Sequence, residues 1–281
     1  YFGGPSGIST IPSLSFQLND AGANLGECVS TAGDVNGDGY SDVILGARIY
    51  GLGGAAAIFH GGPYNMKTSP DADISGGAAG ARMGEAVSNA GDVNGDGFAD
   101  VIVGAPYASN GQANEGLAYL YLGSPSGPSN TPDATFEANV ASGHFGASVC
   151  TAGDVNGDGY ADIIIGAPDL GVGGRAYIHH GGPGGPNTVA SRALFGIAGA
   201  RFGTSVSAAG DINSDGYADV IVGAPGINTA YVLLGSATGI PALPHATLNE
   251  GSAGDLFGSA VATAGDVNGD GYSDVLVGAP D

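Results

Sequence analysis

The chain has no tryptophan, two cysteines and two methionines, and only six of its 281 residues are lysine or arginine. Each shortage narrows the field. Six cations against 27 Asp and Glu leave a formal net charge of −21, so nucleic acid and anionic membrane surfaces are poor partners. Cys28 and Cys150 are expected as two free, buried thiols, with one internal disulfide as the alternative; they say little about compartment. No stretch approaches the roughly 18–20 continuous apolar residues of a membrane span. No signal peptide opens the chain, which starts at Tyr1 without Met, as a processed or truncated product does. No helical pattern of useful length is present. There is no Gly-x-Ser-x-Gly elbow, His-Glu-x-x-His or P-loop, so the chain is expected not to be an enzyme.

Glycine, by contrast, is abundant, at 55 residues. High glycine fits disorder as well as turns. Here 43% of residues are hydrophobic and the glycines fall at fixed places, so they are turn and bulge chemistry in an all-β protein. The fixed places come from a repeat. Asp34-Val-Asn-Gly-Asp-Gly-Tyr-Ser-Asp42 recurs with small changes at Asp92–Asp100, Asp154–Asp162, Asp211–Asp219 and Asp266–Asp274. The steps are 58, 62, 57 and 55 residues, a period that points to a propeller or solenoid.

Repeat three shows the unit most clearly. Phe145–Gly153 is a strand of small residues, and the Asp loop follows it. Ile163-Ile-Ile-Gly-Ala-Pro168 is a short β-branched run bounded by Gly and Pro, hence a buried strand. Arg175–His180 is a third strand, and a weaker fourth lies near Ala193–Phe195. A four-stranded antiparallel sheet cannot bury both faces alone; packing against like sheets around an axis solves this. The expected fold is an all-β propeller of four-stranded antiparallel blades.

The loop places side-chain oxygens at positions 1, 3, 5 and 9, a pattern suited to a hard cation. Calcium takes 6–8 oxygen ligands from carboxylates, amides, backbone carbonyls and water. The candidate set in loop one is Asp34, Asn36, Asp38, the Tyr40 carbonyl and Asp42. It recurs as Asp92, Asn94, Asp96, Phe98 and Asp100, and as Asp154, Asn156, Asp158, Tyr160 and Asp162. Loop four offers Asp211, Asn213, Asp215, Tyr217 and Asp219, with Ser214 where the others have Gly. Loop five offers Asp266, Asn268, Asp270, Tyr272 and Asp274. Five Ca2+ are expected, one per repeat, in a structural role. Three Asp in each of five loops are fifteen of the 27 acidic residues, and five divalent ions would bring −21 to −11. An EF-hand needs Glu at position 12 and flanking helices; here position 12 is Leu45, inside a strand. The position-7 aromatic is expected to pack under its loop.

Phe-Gly, then the Asp loop, then Gly-Ala-Pro resembles the FG-GAP repeat of the integrin α-subunit β-propeller and its bacterial relatives, over essentially the whole chain. Phe-Gly stands at Phe145, Phe202 and Phe257 but is Leu25-Gly26 and Met83-Gly84 elsewhere, and Gly-Ala-Pro becomes Gly46-Ala47-Arg48 in repeat one. The resemblance implies one FG-GAP-type propeller domain over 1–281, with repeats near 25–81, 82–143, 144–200, 201–255 and 256–281 plus 1–24. The chain's ends look like complementary halves of one blade. Tyr1–Gly7 matches Tyr121–Gly127, Ser13–Leu18 is the expected fourth strand, and the chain stops after strand two at Asp281. Five blades with the fifth split is the economical ring. Part of a larger propeller is the alternative, since integrin propellers have seven blades and the counterparts of 227–232 are missing.

The resemblance implies a calcium-binding extracellular module, secreted or on a cell surface, for adhesion or ligand binding within a larger protein. Its partner would be a protein or carbohydrate, with self-association or completion of the split blade as further possibilities and no membrane insertion. A lectin, a subunit of an extracellular filament or surface layer, and an accessory propeller of a secreted hydrolase are the alternatives. His179 and His180 are adjacent on a strand, point to opposite faces and read as ordinary strand residues. The long polar insertion Tyr107–Glu115 fits a ligand-contacting loop or a solvated one.

Overall fold

The computed structural model describes every residue except 1, 2, 6, 9, 12, 19–21, 64, 65, 251, 253 and 281. Four antiparallel four-stranded sheets follow one another along the chain. Blade one is Val29–Gly33, Asp42–Ala47, Ala55–Phe59 and Ala72–Ser75. Blade two is Ala86–Gly91, Asp100–Ala105, Leu117–Tyr121 and Ala134–Glu137. Blade three is Ser148–Gly153, Asp162–Ala167, Arg175–His179 and Arg192–Phe195. Blade four is Val206–Gly210, Asp219–Ala224, Thr229–Leu233 and Ala246–Leu248. Blade five contributes Ala260–Gly265 and Asp274–Gly278. Strands within each blade run in sequence order from the first outward. One 3-10 turn, Pro225–Ile227, is the helical content among the described residues.

The core lies between blades rather than inside them. Ile44, Ile58 and Ile74 of blade one pack against Val87, Val101 and Val103 of blade two. Ile102, Leu120 and Phe136 of blade two meet Phe145, Ile163 and Ile165 of blade three. Ile164 and Ile178 meet Val220 and Val222 at the next junction, and Ile221 and Val232 meet Val261 at the last. Alternation along each strand sends successive side chains to opposite junctions. That is why the second strand is an unbroken β-branched run, with every residue buried in blades two to four. The first strands neighbour one another in series from blade one to blade five.

The FG-GAP signature has a plain steric meaning here. A Cβ on Gly46 would lie 2.0 Å from the Gly84 carbonyl oxygen, and Gly104 stands so to Gly146, and Gly223 so to Gly258 within 0.1 Å. The glycine of Gly-Ala-Pro in one blade and that of Phe-Gly in the next are pressed backbone to backbone. Each first strand ends in a bulge, as between Asn89 and Gly91, where the ladder register shifts. Gly91 has φ +80 and a Cβ there would fall 2.4 Å from Ala161, so only glycine fits.

Residues 15–18 sit on the outer side of blade one. Gly3–Gly4 pairs with Gly7–Ile8 in a two-residue ladder of its own. The Phe16 ring lies 4.4 Å from the Phe59 ring, much as Phe136 lies 4.7 Å from His179 two junctions on. Residues 13–18 therefore occupy the fourth-strand place of a blade preceding blade one, although they form no ladder. The joining of the two ends into one sheet is absent among the described residues: Asp274–Gly278 pairs only with Ala260–Gly265. The expected third strand of that blade begins with Tyr1 and Phe2, which lie outside the described residues. Both outer faces are more open than the junctions. Val29 is 62% exposed where its blade-two counterpart Val87 is 4%, and Leu276 is 62% exposed where Ile102 is 0%.

The cysteines are both free, and both are half-buried rather than fully buried. Cys28 Sγ accepts the Val87 N–H at 3.3 Å across the first junction, and Cys150 Sγ faces the Ser88 hydroxyl at 3.7 Å.

Candidate functional site

The five Asp loops share one hydrogen-bond pattern. Asp34 accepts the N–H groups of Asp38 and Gly39 at 3.1 and 2.8 Å. Asn36 Oδ1 accepts the Asp38 N–H at 3.0 Å, and Asp38 Oδ1 accepts the Tyr40 N–H at 3.0 Å. The same four links recur in loops two to five. The spacing thus folds the loop on itself through its own hydrogen bonds. Short Asx side chains take over the backbone N–H groups of a tight turn.

The ninth residue does something the sequence pattern did not reveal. Asp42, Asp100, Asp162 and Asp219 are fully buried. One oxygen of Asp100 accepts the Val93 N–H and the other the Gly123 N–H, both at 2.8 Å. Gly123 follows the third strand, so this carboxylate ties the loop to a second turn. Asp42, Asp162 and Asp219 do the same through Gly61, Gly181 and Gly235. Burial, aided by the nearby carboxylates of Asp96 and Asp92, pushes Asp100 up to about 7 against its two N–H donors, and Asp162 is raised to about 7 in the same way. Asp42 and Asp219 are raised too, mainly by burial.

The loops are also joined to one another. The Asp34 carbonyl accepts the Ala99 N–H at 3.0 Å, and the link repeats from Asp92 to Ala161, Asp154 to Ala218 and Asp211 to Ser273. The position-7 aromatic does not pack under its own loop. A Cβ on Gly37 would lie 2.6 Å from the Phe98 ring, one on Gly95 the same from Tyr160, and one on Gly157 2.7 Å from Tyr217. Each of these three aromatics therefore lies on the glycine of the preceding loop. The sequence put the ring in the right register but could not show which loop it touches. Ser214 replaces that glycine in loop four with φ +56, and its hydroxyl donates to the Gly271 carbonyl of loop five at 2.8 Å.

Every side chain the loops offer is an oxygen donor. Among the described residues, no three His, Cys, Asp or Glu side chains are gathered as a metal-binding group, and the loop oxygens accept backbone N–H groups. Each oxygen that accepts one such bond keeps a second lone pair.

The opposite end of the blades carries the variable residues. There the residue before Phe-Gly, or its equivalent, holds a left-handed backbone: Asn24, Arg82, His144, Arg201 and Leu256, with φ between +47 and +55. From these a row of contacts crosses three blades. Arg82 lies 4.1 Å above the Tyr107 ring, and Tyr107 lies 4.6 Å from the His144 ring. His144 Nδ1 is 2.7 Å from Asp169, which Arg201 approaches at 3.5 Å. Arg48 pairs with Glu27 on the same rim. The insertion 107–115 therefore supplies a ring to this row through Tyr107, while Glu115 at its other end is buried and accepts the N–H groups of Asn110 and Gln112. Sequence reasoning missed the row because its members are far apart in the chain; the fixed place before Phe-Gly was the signal that could have found them. His179 is buried at the junction of blades two and three, and His180 is half-buried.

Antiparallel blades packed face to face in series, each with an acidic loop at one end, define a β-propeller protein. The FG-GAP repeat matches residues 29–59, 83–121, 145–179, 202–233 and 257–281, and the chain belongs to the FG-GAP repeat family. It is 36% identical over 156 residues to integrin alpha-5 of Xenopus laevis, covering 51% of this chain and 15% of that protein. It is 34% identical over 216 residues to integrin alpha-V of Gallus gallus, covering 71% and 20%. Integrin alpha-6 of the same species is 30% identical over 231 residues, covering 79% and 21%. The chain spans no more than about a fifth of the length of these relatives. The solved structure of the exotype rhamnogalacturonan lyase YesX aligns over 90% of this chain and 44% of its own at 15% identity, with a TM-score of 0.46, a likeness too slight to bear on function.

Proposed function

We propose that the chain is a calcium-stabilised, non-enzymatic propeller module of an extracellular protein, acting in adhesion or ligand binding with a protein or carbohydrate partner. The observation that carries the calcium part is the charge of the Asp loops. Each holds three carboxylates, one of them buried in loops one to four, and in loops two and three the neighbouring carboxylates help to raise the buried one. A cation removes that repulsion. The donor set suits a hard one: two carboxylates at positions 1 and 5, the amide oxygen at position 3, the position-7 carbonyl and the ninth carboxylate. In loop two these are Asp92, Asp96, Asn94, Phe98 and Asp100, and the other four loops would hold their ions alike. Bound calcium would supply charge neutralisation and a fixed turn.

The binding role is supported by the family and by the contrast between the two rims. The Asp-loop rim is nearly the same on every blade, whereas the opposite rim differs on each and presents Arg82, Tyr107, His144 and Arg201. Loops that vary on a rigid scaffold are where recognition is usually placed. The His144–Asp169 pair neighbours Tyr107 and Arg201 in that row, not a Ser or Cys nucleophile, which fits a binding surface. The test is surface-plasmon resonance against purified extracellular-matrix proteins and neutral glycans, in millimolar calcium and in EDTA. Calcium-dependent binding weakened by Arg82→Ala or Tyr107→Ala is expected. Binding to no member of either set in calcium would contradict the reading.

A further inference from the structure

Three blade junctions open a gap at the same peripheral place. Each gap lies between the fourth strand of one blade and the turn before the fourth strand of the next. Residues 15–18 face 68–70 on the N-terminal side. Residues 135–139 face 188–190 between blades two and three. Residues 194–197 face 242–244 between blades three and four. The backbone makes the gap, and side chains decide its chemistry. The gap between blades three and four is apolar, floored by Leu194, Phe202, Tyr231 and Leu233.

The gap between blades two and three is different. Its volume is about 430 Å³, within the roughly 300–1,000 Å³ of small-molecule sites. Glu137, Asn139 and Thr188 stand on its walls, with Phe145, Tyr177 and His179 below. His179 holds the register position that Leu233 fills in blade four and Phe59 in blade one. It is 2% exposed. Its Nδ1 lies 2.9 Å from the Asn187 carbonyl, which only accepts, so the proton sits on Nδ1. Burial holds its pKa down at about 4, so the ring is neutral at physiological pH. The Nε2 lone pair is then a buried acceptor without a partner. Such an atom is destabilising, and the leucine and phenylalanine at the matching positions show that the fold does not need it.

The wall continues the theme. The two Glu137 oxygens take the amide N–H groups of Asn110 and Asn139 at 2.9 and 3.1 Å, which fixes the carboxylate and leaves each oxygen a second lone pair. No Lys or Arg lines the gap, so an anion has no counter-charge there. The Phe145 and Tyr177 rings, 5.4 Å apart, offer apolar faces. Acceptors around aromatic surface call for a neutral ligand that donates several hydrogen bonds and carries a C–H face.

We propose that the cavity between blades two and three binds a neutral sugar residue, with its hydroxyls donating to Glu137 and to His179 Nε2 and its apolar face against Phe145 and Tyr177. This rests on the reading of the propeller as a ligand-binding module and gives that reading a carbohydrate site. The experiment is saturation-transfer NMR and calorimetry on the calcium-loaded protein with a panel of neutral methyl pyranosides. At least one is expected to bind. His179→Leu, which installs the residue of the matching position in blade four, and Glu137→Gln should each weaken it at least about tenfold. The thermal midpoint of His179→Leu should be no lower than that of the unaltered protein, and Leu243→Ser in the apolar gap should leave sugar affinity unchanged. A pyranoside that binds both cavity variants as tightly as the parent overturns the site while the ligand-binding reading stands. Absence of binding across the panel also overturns it, and matrix-protein binding then decides the broader reading separately.

Discussion

Loops two and five are nearly the same nine residues in different surroundings. Both fold on themselves through the same Asx hydrogen bonds. In loop two, Val93 and Asp100 are fully buried beneath blade three. In loop five, which has no following blade among the described residues, Val267 is 73% exposed and Asp274 is only half-buried. The hydrogen-bond geometry is therefore local to the loop, while burial, and the electrostatic strain that burial creates, comes from the neighbour. On the calcium reading, the ion would matter most where the next blade has closed over the carboxylates.

That contrast can be broken in several ways. The largest effect should come from stripping calcium. A ligand bound only by the folded state contributes roughly 2.7 kcal/mol per site at a hundredfold excess over Kd, so EDTA should lower the melting temperature and calcium should restore it. Next comes Asp100→Ala. It leaves the Val93 and Gly123 N–H groups unpaired in the core and should cost about 2–4 kcal/mol by denaturant unfolding. Asp274→Ala frees the exposed Val267 N–H and should cost only about 1 kcal/mol. Equal losses would sink the claim that the neighbour makes the difference. The loop glycines give a similar pair. Gly95→Ala drives a methyl into the Tyr160 ring at φ +75 and should cost roughly 2–4 kcal/mol, whereas Gly269→Ala at the same φ meets open space and should cost about 1 kcal/mol. The smallest effect is expected from Ser214→Gly. Relief of a left-handed non-glycine backbone offsets the lost bond to Gly271, leaving a change within about 0.5 kcal/mol in the same unfolding measurement.

Much of this architecture was legible because the repeat is strict. The loop marks where strand one ends and strand two begins, and the β-branched runs at Val101–Val103 and Ile163–Ile165 declared a strand buried on both faces. The fourth strand was weaker because its residues alternate between a junction and solvent; Ile74 is buried and Ser75 exposed. What stayed hidden was everything between repeats. No spacing shows that Phe98 lies on Gly37, that Asp100 reaches Gly123, or that Arg82, Tyr107 and His144 stack in a row. These contacts depend on the angle at which one blade meets the next. The His179 cavity was hidden for the same reason, since its walls come from two blades.

The central claim is that the Asp loops hold calcium and that calcium holds the blades. Titrating calcium into EDTA-stripped, rebuffered protein by isothermal calorimetry tests it directly. The account predicts binding that approaches five ions per chain, with the loop-five site the weakest and abolished alone by Asp266→Ala. No heat of binding, together with a melting temperature indifferent to calcium, would contradict it.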